Sequence, residues 1–182
     1  MSSYGEVVSD MKYLGYLFAK VVQKLITHSS ETISDYYRRC GVEVGKNTVI
    51  CCYIPISEPA LVSIGNDCVL SSEVALITHD HSINKVTEKG SNLFGKIVIG
   101  DNCFIGQRSI ILYGVTLPDN TIVGSGSVVV KSFSENNTII AGNPAKRIGN
   151  WEDFKEKYEE FAAFRNELED IVQGKLNKIV EK

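Results

Sequence analysis

Two of the three histidines in this 182-residue chain stand two positions apart, in the segment Thr78-His79-Asp80-His81-Ser82. An imidazole titrates close to neutral pH and readily takes a proton from a hydroxyl or an amine, and a neighbouring carboxylate can fix its tautomer. The segment therefore suits a general base, with His79 and His81 as candidates and Asp80 as the orienting group. His28 is isolated and carries no such reading. Other chemistries find no pattern: the chain lacks a G-x-S-x-G nucleophile, a P-loop and a dinucleotide fingerprint. No metal is expected either. A zinc site of three histidines spread along the chain would find no histidine beyond His81, and the five cysteines form no C-x-x-C spacing.

What must position these residues is a repeat. From Ile99 an aliphatic residue recurs at every sixth position: Ile99, Ile105, Ile111, Leu117, Val123 and Val129. Neither a helix (3.6) nor a strand (2) has that period, so it points to a β-solenoid of short strands with triangular coils. Four positions after each aliphatic residue stand small ones, Cys103, Ser109, Val115, Thr121 and Ser127, with Phe133 the exception. Gly100, Gly106 and Gly124 directly after the aliphatic residue suit a chain that turns between strands. Upstream the period appears as Val44, Ile50, Ile56, Val62, then after a two-residue slip as Ile64, Leu70, Leu76. It lapses between Leu76 and Ile99. Residues 77–98 are thus expected to protrude from a solenoid spanning 42–148, and such insertions often mark a binding face.

The remainder frames this unit. Residues 13–26 carry Leu14, Leu17, Phe18, Val21 and Leu25, broken by Lys20 and Lys24. That reads as an amphipathic helix, too short and charged to span a bilayer, which packs on its own protein or, as the lesser alternative, lies on a membrane surface; a second short helix is expected over 28–40, giving a helical segment 1–41. Beyond Pro144, Trp151, Phe154, Tyr158, Phe161, Phe164, Leu168 and Ile171 are spaced by three or four, predicting one long amphipathic helix within 149–182. A net charge of -3 gives no basic field for a nucleic acid. The absence of a leader pattern and the odd set of thiols suit the reducing cytoplasm.

Several separated blocks resemble the hexapeptide-repeat acyltransferases: YYRRCGVEVGKNTVI at 36–50, THD at 78–80, NLFGKIVIGDNCFIGQRSIILYGVTLPDN at 92–120, IVGSGSVVVKS at 122–132 and AGNPAKRI at 141–148. Within that family the chain is most similar to the branch that O-acetylates sugars of bacterial surface polysaccharides, related to the maltose and galactoside acetyltransferases. The resemblance implies a mainly β fold, the left-handed parallel β-helix, assembled as a homotrimer. It also implies direct acetyl transfer from acetyl-CoA to a sugar hydroxyl, with a histidine base and no covalent intermediate. THD places the base at His79; counting hexapeptides as in the maltose-type enzymes places it at His81. Coenzyme contacts carried over by position are Gly106, Ser125, Gly126, Lys131 and Lys146, with Phe104 where relatives often have Trp. For the acceptor, Asn84, Lys85, Lys89 and Asn92 in the protruding loop offer hydrogen-bonding groups. N-acetylation of an amino sugar, another small acceptor, or a scaffold with an empty groove are the alternatives.

Overall fold

The computed structural model describes residues 3–87 and 90–180, with side chains from Met11 onward; Lys89 lies outside these residues. Two compact units divide the chain, Met1–Ile148 and Gly149–Lys182.

In the larger unit the sixfold aliphatic period becomes three parallel sheets visited in turn. The first sheet holds Glu43–Val44, Val62–Ile64, Ile97–Ile99 and Thr116–Leu117. The second holds Val49–Ile50, Val69–Leu70, Phe104–Ile105, Ile122–Val123 and Thr138–Gly142, with Ala145–Asn150 beside the last. The third holds Ala75–Ile77, Ile110–Leu112 and Val128–Val129. Each periodic residue points inward: Ile99, Ile105, Ile111, Leu117, Val123 and Val129 are all buried, as are Cys103, Ser109, Val115, Thr121 and Ser127 at the corners. Strand pairing in register, Ile64 with Ile99 and Ile99 with Leu117, stacks like on like into one core.

The glycines have a different cause from the one their position suggests. Gly100, Gly106 and Gly124 do not occupy the left-handed region. They are glycine because the next coil lies against them: a Cβ on Gly106 would meet Ser125 N and Val123 O at 2.6 Å. The turning itself falls three residues after each aliphatic position, where Asn102, Arg108, Gly114, Asn120 and Gly126 all have positive φ. Asparagine and glycine adopt that conformation at least cost. Side-chain amides extend one such corner as a ladder, Asn102 to Asn120 at 2.8 Å and Asn120 to Asn137 at 2.7 Å.

The two-residue slip is a loop. Val44 pairs with Ile64, a coil two residues longer than the one from Ile99 to Leu117, and the extra length precedes the turn at Pro59–Leu61. The lapse is the segment 78–96, inserted between the third and first sheets.

Two helices cap the solenoid's open end. Helix α1 (Ser3–Val22) runs on through Gln23–Thr27, and α2 (Glu31–Arg39) buries Ile33, Ser34 and Tyr37. Arg38 Nε donates to Val44 O at 2.8 Å, and Ser34 Oγ donates to Thr48 O, so α2 meets polar groups of the terminal coil. The side of α1 that packs inward is not the predicted one. Tyr16 is buried, its ring 5.2 Å from that of Tyr53 and 6.0 Å from that of Tyr36, whereas Leu14, Leu17, Phe18, Val21 and Leu25 are exposed. Gly15 allows Tyr36 to approach, leaving 3.1 Å for a Cβ, so aromatic packing rather than aliphatic burial sets the roll of the helix.

The smaller unit corrects the expected single helix. It forms α3 (Trp151–Tyr158), 3-10 turns at Glu159–Phe161 and Arg165–Glu167, and α4 (Leu168–Val172). Asn150 caps α3 by accepting from Asp153 N at 2.8 Å. The break falls at Ala162–Phe164, where Glu167 accepts from Phe164 N at 2.6 Å and begins a new turn. Phe154, Phe164 and Leu168 are exposed.

Candidate active site

The third-to-first corner is where the chemistry-bearing residues gather. His79 follows the strand Ala75–Ile77; in the next coils Tyr113 and Gly114, then Lys131 and Ser132, follow Ile110–Leu112 and Val128–Val129. His79 and Asp80 pair antiparallel with Phe94 and Leu93, so the inserted segment begins and ends as a two-stranded arm rooted at this corner. The His79 ring lies 5.9 Å from the Phe94 ring, and Gly95 N donates to Thr78 O at 3.1 Å.

His79 Nδ1 lies 3.1 Å from Glu58 Oε2, and Thr78 Oγ1 donates to the same carboxylate oxygen. Both partners of this contact are partly shielded, with 38% and 29% of the side chains exposed. A carboxylate on Nδ1 selects the tautomer that carries its proton there and leaves the Nε2 lone pair as the base, and it stabilises the imidazolium that forms. Glu58 is the site residue that sequence reasoning missed. Its signal was the two-residue slip, since those added residues build the loop that presents it.

His81 stands in a different setting. Its Nδ1 lies 2.6 Å from Asn92 Oδ1, and Asn84 Nδ2 is 2.8 and 3.0 Å from the two ring nitrogens. Both nitrogens thus face amides, an arrangement that suits orientation of the arm more than proton uptake. Asp80 does not orient either ring. It accepts from Ser82 N at 2.7 Å and from Tyr113 OH at 3.3 Å, and the Ser82 backbone bond holds its carboxyl below the usual carboxylate range. Burial, with Asp80 adding to it, pushes the Tyr113 phenol up. Lys85 is exposed in the turn Ser82–Lys85.

The residues proposed for the coenzyme fall into two groups. Lys131 lies along the His79 corner and lines a cavity of about 310 Å³ with Ser132, Phe133, Ser134, Glu135, Thr138 and Arg147. Arg147 pairs with Glu135 at 3.3 Å, and the buried Thr138 Oγ1 lacks a partner among the described residues. Arg147, not its neighbour Lys146, is the second cation here; Lys146 is exposed next to it on a strand whose side chains alternate. Ser125 and Gly126 are exposed at the corner between the second and third sheets, with Gly106 stacked beneath and Phe104 exposed on the second sheet. One chain therefore does not bring Ser125 and Lys131 to the same edge.

Three sheets built from six-residue units, with a histidine-bearing arm at one corner, define a hexapeptide-repeat protein. A profile for the hexapeptide repeat of succinyl-transferase matches residues 96–131. The chain is 38% identical over 160 residues to protein CapG of Staphylococcus aureus, covering 84% of this chain and 87% of that protein. It is 30% identical over 124 residues to the putative lipopolysaccharide biosynthesis O-acetyl transferase WbbJ of Escherichia coli, covering 63% of each. Among solved structures, a galactoside acetyltransferase in complex with coenzyme A superposes with a TM-score of 0.53 at 24% identity, over 80% of this chain and 84% of that one. The protein belongs to the hexapeptide-repeat acetyltransferase family.

Proposed function

We propose that this protein transfers an acetyl group from acetyl-CoA to a sugar hydroxyl, as a homotrimer of left-handed parallel β-helices working in the cytoplasm on precursors of a surface polysaccharide. The observation that carries the reading is the His79–Glu58 pair at the root of the inserted arm. His79 Nε2 takes the proton from the acceptor hydroxyl as its oxygen attacks the thioester carbonyl. The C–S bond then breaks, and the same proton passes to the departing thiolate, so atoms and charge balance without an enzyme-bound acyl group. Asn84, Asn92 and Lys85 on the arm supply the polar groups for the sugar. The cavity with Lys131 and Arg147 fits an anionic cofactor, since a chain of net charge -3 has no general attraction for one.

The trimer follows from the division of the coenzyme residues between two corners. A cofactor as long as CoA touches both sets when the Ser125 corner of one subunit lies beside the Lys131 corner of the next, and a closed ring repeats that contact at every boundary. The name of WbbJ, an O-acetyl transferase of polysaccharide biosynthesis, supports the acceptor class.

The test is thiol release from acetyl-CoA with a panel of sugars and amines. Turnover with sugar hydroxyls is expected; turnover with amines alone would replace O-acetyl by N-acetyl transfer. The double variant Lys131→Glu, Arg147→Glu should raise the acetyl-CoA KM by about tenfold or more, in a salt-sensitive manner, with little change in acceptor KM. An unaltered acetyl-CoA KM would move the cofactor to another part of the solenoid.

A further inference from the structure

The inserted arm carries an aromatic ring beside the histidine at its root. There His79 is paired with Phe94 and Asp80 with Leu93. Side chains directly opposite one another share a face, and faces alternate along a strand, so His79 and Phe94 stand on one side of the arm and Asp80 and Leu93 on the other. Asp80 is engaged by the solenoid, its Oδ2 accepting from Tyr113 OH at 3.3 Å. On the first side the Phe94 ring lies 5.9 Å from the His79 ring, and 57% of Phe94 is exposed. The next pair in the same register is His81 with Asn92, whose Nδ1 and Oδ1 are 2.6 Å apart; Asn92 Nδ2 has no partner among the described residues. The root is held in place. Gly95 N donates to Thr78 O at 3.1 Å, and Gly95 lies so close to the next coil that a Cβ would collide with Gly114 N.

We propose that Phe94 is a stacking platform for a pyranose: the acceptor lies with a C–H face of its ring on Phe94, one hydroxyl at His79 Nε2 and a second at Asn92. This rests on the reading of the protein as a sugar acetyltransferase. A single exposed phenylalanine is ordinary on a protein surface. One that shares a face with the base, on a fixed root, lines the place that the acceptor must occupy. A pyranose has two kinds of surface, hydroxyls around its rim and C–H groups on its faces. The negative face of an aromatic ring attracts the slightly positive C–H hydrogens and leaves the rim hydroxyls to His79 and Asn92. These two residues belong to pairs two positions apart along the strands, roughly 7 Å, a spacing that one pyranose with its hydroxyls bridges. An open-chain polyol offers the same hydroxyls without a flat face, so the platform selects the ring form.

Acceptor kinetics test the platform. Phe94→Ala should raise the KM of methyl hexopyranosides about tenfold or more, with kcat within about threefold and the acetyl-CoA KM unchanged, because stacking serves ground state and transition state alike. Phe94→Trp should keep the wild-type KM or lower it. Phe94→Leu, which preserves apolar bulk without a ring face, should behave as the alanine variant does. Alditols of the same sugars, measured as acceptors or competitors, should be insensitive to all three changes; an equal response would overturn the selection of the ring form. The panel includes methyl glycosides of amino sugars, since a platform binds the ring whatever nucleophile it carries. If only these turn over, O-acetyl transfer is wrong and Phe94 is judged on their KM. A pyranoside KM that Phe94→Ala leaves unchanged overturns the platform while sugar acetylation stands, and so does full recovery in Phe94→Leu, which would make the side chain a packing element. Absence of thiol release with every pyranoside overturns both.

Discussion

Replacing His79 by alanine should lower kcat by about a hundred- to ten-thousandfold and leave the acetyl-CoA KM nearly unchanged, because a general base acts in the transition state and not in cofactor binding. His81→Ala should act mainly on acceptor KM, since its ring nitrogens are engaged by Asn84 and Asn92 on the arm. Glu58→Gln should lower kcat by a smaller factor, on the order of ten- to a hundredfold, by losing the charge that orients and stabilises the imidazolium. The decisive measurement is the double variant. If Glu58 acts through His79, adding Glu58→Gln to His79→Ala costs nothing further. Additive losses would separate the two residues, and near wild-type turnover in both single histidine variants would place the base elsewhere.

How much of this was legible depended on distance along the chain. The six-residue period was plain because one inward side chain per face fixes it, whatever the neighbouring coil contains. The corner glycines were visible by position, but their cause was not, since it lies in the next coil, at Val123 and Ser125 for Gly106 and at Ala141 for Gly124. The histidine corner was legible as a break in the period. Its partner was not: Glu58 lies twenty-one residues before His79, off the repeat, and only coil stacking brings them together. For α1 the sequence misled in a physical way. A stripe of Leu, Phe and Val looks the same whether it faces the core or away from it, and here Tyr16, with Gly15 making room for Tyr36, takes the inner side. The C-terminal aromatic spacing misled likewise, because periodicity does not register the break at Ala162–Phe164, where Glu167 accepts from Phe164 N and a new turn begins.

The stacking of coils makes its own prediction at Gly65. A Cβ there would lie 2.3 Å from Asp101 Oδ1 and 2.7 Å from Gly100 C and O. Neither neighbour can yield cheaply. Asp101 Oδ1 accepts from Asn66 N at 2.7 Å, so swinging it away unpairs that donor, and moving Gly100 strains the bond from Gly65 N to Ile99 O at 2.9 Å. Gly65→Ala should therefore cost toward the upper end of the overpacking range, about 3 kcal/mol, lowering Tm by roughly 2–4 °C per kcal/mol in a unit of this size. Gly126→Ala is the control. Gly126 has φ of 72° with nothing within 4 Å of a Cβ, so only left-handed backbone strain, about 1 kcal/mol, opposes the change. Gly126→Asn should cost still less, because Asn102 and Asn120 hold the same conformation at the equivalent corner positions. Thermal unfolding of the three variants ranks them. Equal losses for Gly65→Ala and Gly126→Ala would mean that backbone conformation, and not the approach of the next coil, is what requires glycine at these corners.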